Sequence, residues 1–248
     1  MSSALLSEGV LAKFLRYVQV DSPSAEGANQ VPSTPEQWQM ARLLRDELVR
    51  LDLQDVELSD HGVLTATLPG PASGPAVGLI AHYDTFPGVP GRGIKPIVHH
   101  AYGGGDIRLP AGPVLSPGEQ PALRQCIGHD LVTSDGSTLL GADDKAGVAE
   151  VMEVLCRLIR EPERRRPTVR VAFTPDEETG AGIRHLDVAR FNCVAAYTLD
   201  GSGPGELSGE NFDALNLKVV LHGKSAHTGT ARGRMINAVR MAAEFIAG

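Results

Sequence analysis

The stretch AVGLIAHYD, residues 76–84, decides the fold. A nearly continuous apolar run of this length is typical of a strand that is buried on both faces of a sheet. The run ends on His82, and Asp84 follows after a single spacer. An imidazole and a carboxylate two residues apart are common in proteins, so their meaning depends on what the other strands bring to the same edge.

Similar apolar runs recur along the chain, separated by segments with helical periodicity. Two further buried strands are predicted in TVRVAFT (168–174) and VAAYTLD (194–200). Between the first strand and these two, a loop is predicted to continue into a helix in GADDKAGVAEVMEVLCRLIREP (141–162). Buried strands that alternate with helices indicate an α/β fold. We therefore predict a mixed, mostly parallel sheet flanked by helices.

The N-terminal third is predicted to add two helices and a hairpin. A first helix is expected over 6–18. A second begins in STPEQWQ, where Thr34 fits an N-cap, Pro35 the first helical position and Gln37 the last residue of a capping box. Two short strand patterns within 55–69 predict a strand pair.

The pattern changes near residue 208, which predicts a domain boundary. We expect one domain over 1–208 and the beginning of a second over 209–248. In the latter, residues 214–229 alternate like an antiparallel strand and residues 232–248 resemble a helix. The irregular stretch 86–135 is rich in Gly and Pro, and long irregular stretches in compact domains usually carry function.

Composition excludes several classes of protein. The chain has 248 residues, 42% of them hydrophobic, and a net charge of −7, which argues against nucleic acid and anionic membranes as partners. No run of about 18 apolar residues predicts a membrane span, and the N-terminus does not resemble a signal peptide. Three widely spaced cysteines favour a reducing, cytoplasmic location over a disulfide framework.

Acidic residues lie at the ends of the predicted strands and just before the long helix. Asp143 and Asp144 precede the long helix, Glu177 and Glu178 follow the second strand, and Asp200 ends the third. Ligands bind at the carboxyl ends of the strands in open α/β sheets. Each residue alone has an ordinary alternative role, as a hydrogen-bonding histidine, a helix cap, a first-turn acid or a turn residue. Their coincidence at one edge favours a shared site.

Carboxylates crowded into one crevice repel each other unless they take up protons or bind cations. Oxygen ligands with one imidazole suit zinc, manganese or cobalt. A pair of such ions polarises a carbonyl and activates water, which is the chemistry of hydrolysis.

Several motifs together resemble the M20 metallopeptidases, and within them most closely the peptidase T branch of tripeptide aminopeptidases. The resemblance covers nearly the whole chain. In one motif Ser134 stands where the family pattern leads us to expect Thr. The motifs are AHYDTFPG (81–88), YGGGDIRL (102–109), SDGSTLLGADDKAGVAEVME (134–153), FTPDEETGAG (173–182), YTLDG (197–201) and GENFDALNLKVVLHGKSAHTGTARGRMINA (209–238).

The resemblance implies a zinc-exopeptidase-like catalytic domain with two divalent metal ions, zinc or alternatively cobalt or manganese. Asp84 would orient the ring of His82, and Glu177 would be the general base. Asp143 would bridge the ions, although an exchange of roles with Asp144 stays open, and the family often has a cis peptide between the two. The implied metal ligands are His82, Asp143, Glu178 and Asp200.

The resemblance also implies a lid or dimerisation domain of α+β type. His227 would reach the active site of the partner in a homodimer and stabilise an oxyanion, with a surface loop histidine as the alternative. Arg232 is a candidate for binding the peptide carboxylate, or a solvated arginine at a helix start. Tyr102 and Asp106 are candidates for the substrate pocket, or structural loop residues.

The implied function is the release of the N-terminal residue from short peptides. Two alternatives stay open. One is another M20 amidohydrolase, such as a dipeptidase, carboxypeptidase or deacylase. The other is an inactive chain, because the family pattern leads us to expect further sequence, including a late metal-binding histidine, beyond Gly248.

Overall fold

Helices and strands alternate along most of the chain in a computed structural model, which describes residues 2–201, 203, 205–210, 214, 215 and 217–248. The helices are α1 (Ser2–Ser7), α2 (Val10–Val18), α3 (Gln37–Arg50), α4 (Ala142–Arg160), α5 (Val188–Phe191) and α6 (Ala238–Ala247). The strands are β1 (Gln54–Leu58), β2 (Leu64–Leu68), β3 (Ala76–His82), β4 (Ile97–His99), β5 (Ile107–Arg108), β6 (Val114–Leu115), β7 (Leu131–Thr133), β8 (Val169–Thr174) and β9 (Cys193–Thr198).

A five-stranded sheet in the order β1-β2-β8-β3-β9 positions the strand ends. Strands β8, β3 and β9 run parallel, and β2 pairs antiparallel with both β1 and β8. His82 at the end of β3 lies opposite Thr174 at the end of β8. The α/β class and the mixed sheet are therefore confirmed, and the carboxyl ends of the parallel strands meet at one edge.

Apolar helix faces cover this sheet and form the core. Helix α4 packs against β3 and α2, and its residues Met152 and Leu155 are fully buried. Leu44 and Leu48 on α3 are also fully buried and belong to the same core. Their spacing of three and four residues explains why these segments form amphipathic helices. The buried helix that starts beside the sheet edge fixes the position of the acids at its beginning.

The predicted helix starts need correction. The segment 6–18 is divided between α1 and α2. Helix α3 begins at Gln37, and the capping box is wrong because the hydroxyl of Thr34 donates to the carbonyl of Pro23. The side chain of Gln37 binds Asp176 instead of the helix N-terminus. Tertiary partners have replaced the local caps that the sequence pattern suggested.

Strand β9 differs from the prediction of a buried strand. It lies at the end of the strand order, and Val194 and Tyr197 are 68% and 47% exposed. The apolar segment therefore forms a strand as predicted. Because β9 is an edge strand, its side chains are accessible to solvent among the described residues. The irregular stretch predicted over 86–135 contains two small antiparallel pairs, β4 with β7 and β5 with β6.

The contacts divide the chain into units over 1–204 and 205–248. In the second unit, Lys224 pairs with Ile236 in an isolated antiparallel bridge. The strand predicted over 214–229 does not form in its described residues, since that bridge supplies no continuous partner strand, and Asn216 lies outside the described residues.

Helix α6 begins at Ala238, later than predicted, because the side chain of Asn237 accepts the N–H groups of Val239 and Arg240. The boundary at 208 and the assignment as a lid stay predictions.

Cys126, Cys156 and Cys193 are all unpaired, as their spacing predicted. Among the described residues, no helix combines the length and the apolar character that crossing a membrane requires.

Removal of a core side chain should separate the buried from the exposed face of α4. Leu155→Ala creates a cavity in a fully buried position and should lower the free energy of unfolding by about 2–5 kcal/mol. Val154→Ala is the matched control, since Val154 lies next to it and is 38% exposed; its effect should stay within about 0.5 kcal/mol. Urea denaturation measures both, and equal losses would contradict the described burial of α4.

Candidate metal centre

Three strand ends and the start of α4 bring one imidazole and three carboxylates together. His82 Nε2 lies 2.9 Å from Asp143 Oδ1, 3.7 Å from Asp200 Oδ2 and 3.9 Å from Glu177 Oε2. One donor atom each from His82, Asp143 and Asp200 falls within 4.8 Å of the others. The acids that the sequence distributes over more than fifty residues therefore face a common point beside His82.

Asp84 connects two of these elements through a fully buried carboxylate. Its Oδ1 lies 3.2 Å from His82 Nδ1 and accepts the backbone N–H of Glu177 at 3.0 Å. Its Oδ2 accepts the backbone N–H of Glu178 at 3.3 Å. The carboxylate thus holds the ring of His82 with Nε2 toward the cluster and at the same time fixes the turn that carries both glutamates.

Asp143 and Asp144 have different surroundings. The side chain of Asp143 is 68% exposed and reaches His82 Nε2. Asp144 is buried, and its two oxygens accept the N–H groups of His82 at 3.1 Å and Gly147 at 3.1 Å. The peptide between the two aspartates is cis, as the sequence resemblance implied. The exposure of Asp143 and its contact with His82 favour it as the residue that faces a cation. The two backbone N–H groups that Asp144 accepts favour it as a support for the backbone of β3 and α4.

Glycine is required where α4 meets the end of β9. A Cβ atom on Gly147 would lie 2.0 Å from the carbonyl oxygen of Leu199 and 2.3 Å from Asp144 Oδ1. Both distances are far shorter than real carbon–oxygen contacts. The absence of a side chain lets the segment that carries Asp200 approach the start of α4.

The electrostatics of the cluster favour bound protons or cations. Burial lowers the pKa of His82, but the Asp84 hydrogen bond and the charges of Asp84, Asp144 and Asp200 outweigh it and raise the pKa to about 10. Burial is the first cause of a raised pKa at Asp144, to about 8, and at Glu178, to about 7. Burial and neighbouring carboxylates also raise the pKa values of Glu177 and Asp200. These four carboxylates are therefore harder to ionise than in water.

The donor set fits a divalent metal ion. A neutral imidazole and several carboxylates are ligands that zinc, manganese and cobalt accept. Glu178 belongs to the same charge field, since the negative charge of Asp143 contributes to its raised pKa. A cation at this position would relieve the mutual repulsion and the desolvation of these groups.

The other predicted site residues have less specific positions. Tyr102 is buried and its hydroxyl donates to the carbonyl of Gly105 at 2.6 Å, while Asp106 is exposed. In the second unit, Nδ1 of His227 accepts the N–H of Gly229 at 3.1 Å, and Arg232 is exposed. Their catalytic and substrate-binding roles stay predictions.

Sequence reasoning missed the residues that support the cluster. Asp176, directly before the two glutamates, is fully buried and binds Ser33 and Gln37. Lys145, directly after the two aspartates, is fully buried and donates to the carbonyl of Val20 at 2.6 Å. Their position next to the predicted ligands was a signal, but no spacing rule connects them with partners more than a hundred residues away.

Comparison with known proteins identifies chains that are similar to this one over most of its length. The model of peptidase family M20/M25/M40 matches residues 131–246. Peptidase T of Geobacillus kaustophilus (strain HTA426) is 44% identical over 244 residues, which are 97% of this chain and 59% of that protein. Peptidase T of Salmonella dublin is 48% identical over 239 residues, which are 95% of this chain and 58% of that protein.

A solved structure shows the same fold. The crystal structure of aminopeptidase PepT from Bacillus cereus ATCC 10987 has a TM-score of 0.61 and 27% identity, and the match covers 96% of this chain and 55% of that one. The chain is therefore similar to members of peptidase family M20/M25/M40 over residues 131–246. It is also similar to proteins named Peptidase T, and it spans 58–59% of the length of the two curated relatives described above.

The pKa shifts predict how the metal-free protein responds to pH. Because the pKa of His82 is raised in the folded state, protonation of this side chain stabilises the fold. This stabilisation is fully present below about pH 6.5 and is lost as the pH rises toward 10. Raised carboxylate pKa values act in the same direction, because the folded state keeps protons that the unfolded state has released. Thermal unfolding in a chelating buffer should therefore show a melting temperature that falls between pH 5 and pH 9. Asp200→Asn, which removes one charge, should weaken this fall, and a flat or rising profile in the wild-type protein would contradict it.

The two aspartates should differ in their effect on stability. Asp144→Ala removes the acceptor of two backbone N–H groups and should lower the free energy of unfolding of the metal-free protein by about 1–3 kcal/mol per group. Asp143→Ala changes a mostly exposed side chain and should alter it by less than about 0.5 kcal/mol. Urea denaturation at pH 6 in chelator compares them, and the reverse order would exchange the proposed roles.

Proposed function

We propose that this chain provides most of the catalytic site of a metal-dependent aminopeptidase that releases the N-terminal residue from short peptides, tripeptides in particular. The observation that carries the proposal is the cluster of His82, Asp143 and Asp200 with the carboxylate of Glu177 beside it. The names Peptidase T and aminopeptidase PepT of the similar proteins support a peptidase that acts at the amino terminus, and the preference for tripeptides rests on the motif resemblance.

The proposed cofactor is a pair of divalent ions, with zinc as the first choice. His82 and Asp200 would hold one ion, Glu178 the other, and Asp143 both. When bound, such ions polarise a peptide carbonyl and lower the pKa of water. The structural support is the donor set and the raised pKa values of Glu178 and Asp200, since acids that ionise reluctantly alone become good ligands once a cation is present.

Glu177 is the proposed general base. Its carboxylate lies at the cluster, 3.9 Å from His82 Nε2, and about half of its side chain is exposed, so water reaches it. Burial and the nearby acids raise its pKa, which makes it a better proton acceptor than an ordinary carboxylate. It would take a proton from the attacking water and deliver it to the leaving amine. Asp84 would keep His82 in the tautomer with Nδ1 protonated, which leaves Nε2 as the ligand.

The remaining roles follow from the resemblance alone. His227 of a second subunit would stabilise the oxyanion in a homodimer that forms through residues 209–248. Tyr102, Asp106 and Arg232 would contact the peptide. A cytoplasmic location fits the three unpaired cysteines.

The experiment that tests this function combines metal content with a substrate panel. The protein encoded by the whole reading frame should bind close to two metal ions per chain after dialysis, measured by plasma mass spectrometry. It should hydrolyse tripeptides with a free amino terminus faster than N-acetylated tripeptides or dipeptides. Preferred cleavage of N-acylated amino acids, or of the C-terminal residue, would instead indicate another amidohydrolase activity, and absence of metal and hydrolysis would contradict the proposal.

Replacement of the base should separate catalysis from metal binding. Glu177→Gln should lower kcat for a tripeptide by about 10²–10⁴-fold, because the amide cannot accept the proton, while metal content and KM stay near the wild-type values. Glu178→Gln is the matched comparison on the next residue and should reduce metal content as well as kcat. A Glu177→Gln variant with wild-type kcat would exclude Glu177 as the base.

A further inference from the structure

Asp176 is a fully buried carboxylate that belongs to neither the proposed ligands nor the proposed base. Its Oδ2 accepts the backbone N–H of Ser33 at 2.7 Å. Its Oδ1 accepts the hydroxyl of Ser33 and Nε2 of Gln37, the latter at 2.7 Å. Gln37 Oε1 in turn accepts the backbone N–H of Asp176 at 3.2 Å. A buried carboxylate is expensive to desolvate unless it is fully hydrogen-bonded, and these donors satisfy it.

The backbone around Asp176 forms a tight turn that carries Glu177 and Glu178. Asp176 itself has a left-handed conformation, with φ of 50°. Its carbonyl accepts the N–H groups of Ala181 at 3.0 Å and Gly182 at 3.3 Å. A side chain at 182 is excluded, because a Cβ atom there would lie 1.5 Å from the carbonyl oxygen of Pro175. The turn therefore closes on itself over residues 175–182.

The turn is attached to the rest of the unit on two sides. On one side, the Asp84 carboxylate accepts the N–H groups of Glu177 and Glu178. On the other side, the Asp176 carboxylate binds the loop before α3 and the first residue of α3. Together, the two attachments fix the direction in which the side chains of Glu177 and Glu178 leave the backbone. If the Asp176 attachment were lost, the turn could rotate about the remaining contact with Asp84.

We propose that Asp176, with Gln37 and Ser33, is a positioning device that aims the Glu177 carboxylate at the reacting water. This inference rests on the proposed role of Glu177 as the base. A carboxylate misplaced by about 1 Å can cost a hundredfold in rate even when every reacting group is present. Asp176, Gln37 and Ser33 are outside the proposed metal ligands and the proposed substrate-binding residues, so the loss of this device should appear in kcat rather than in KM.

The arrangement allows a reversal of hydrogen-bond polarity as a test. In Asp176→Asn, an NH₂ group replaces one acceptor and faces either the N–H of Ser33 or the NH₂ of Gln37, so kcat for a tripeptide should fall about 10- to 100-fold. In the double variant Asp176→Asn with Gln37→Glu, the asparagine NH₂ can donate to the new carboxylate, which still accepts the N–H of residue 176. The net charge is unchanged, and kcat should recover to within about threefold of the wild-type value.

Glu47→Gln is the matched control for loss of a buried carboxylate. Glu47 is 1% exposed and accepts hydrogen bonds from Tyr17 and Arg16 in the same unit. Its variant should lower the melting temperature, as Asp176→Asn does, without lowering kcat at 25 °C. Equal loss of kcat in the two variants, wild-type kcat in Asp176→Asn, or no recovery in the double variant would each overturn the proposal.

Two further measurements keep the proposal testable on its own. Ser33→Ala removes one of the three hydrogen bonds to the Asp176 carboxylate and retains the other two, although the N–H of Ala25 also loses its acceptor. It should fold and show an intermediate loss of kcat, and it therefore replaces Asp176→Asn if that variant does not fold. Amide hydrogen exchange over residues 177–182 should be faster in Asp176→Asn than in Glu47→Gln, and this readout needs no peptidase activity. Absence of activity in the wild-type protein would contradict the proposed function, whereas unchanged exchange would contradict the positioning device.

Discussion

The arrangement of the site depends on the carboxylate of Asp84, which joins the ends of two parallel strands. It faces the ring of His82 on its own strand and accepts the backbone N–H groups of Glu177 and Glu178, which follow β8. It does so without exposure to solvent, where hydrogen bonds to a charged acceptor are strong. The spacing His-x-Asp is thus explained by geometry: the side chain at 82 reaches the cluster, and the side chain at 84 turns to the neighbouring strand end.

The cluster itself opposes folding and favours a cation. Burial and mutual repulsion raise the pKa values of four acids, which means that their ionised forms are less stable in the site than in water. These acids are Asp144, Glu177, Glu178 and Asp200. The surrounding structure compensates with the buried face of α4, with Gly147, which allows close approach, and with the buried, hydrogen-bonded carboxylates of Asp84 and Asp144. Clusters of charged groups with shifted pKa values, held in place by a rigid scaffold, are typical of functional sites.

The sequence predicted the strand ends well because parallel strands deliver their carboxyl ends to one edge. His82, Glu177 and Asp200 could be brought together by that rule, without knowledge of any distance. Asp143 joins them because it lies at the start of α4, which packs against β3. The distinction between Asp143 and Asp144 could not be made, since it depends on which side chain finds the N–H groups of β3 and α4. The exposure of β9 also escaped, because an apolar strand has the same sequence at the edge of a sheet as in the middle.

The local caps failed for a related reason. Thr34 and Gln37 match a capping box, yet both side chains bind distant loops, Gln37 through Asp176. Short-range patterns predict local partners only where no long-range partner competes for the same polar atoms. In this chain the competing partner belongs to the turn beside the proposed base, so the misprediction lies where the site needs support.

The central claim is that Asp84 fixes the ligand His82 and the turn of Glu177 together, and one measurement tests it most directly: kcat of Asp84→Asn for a tripeptide, taken at metal concentrations that restore full occupancy. We expect kcat to stay about 10- to 100-fold below the wild-type value even with the metal restored, because the amide cannot accept all three N–H groups and the turn is released. Recovery of the wild-type kcat at saturating metal would contradict the claim, since it would mean that Asp84 acts through His82 alone.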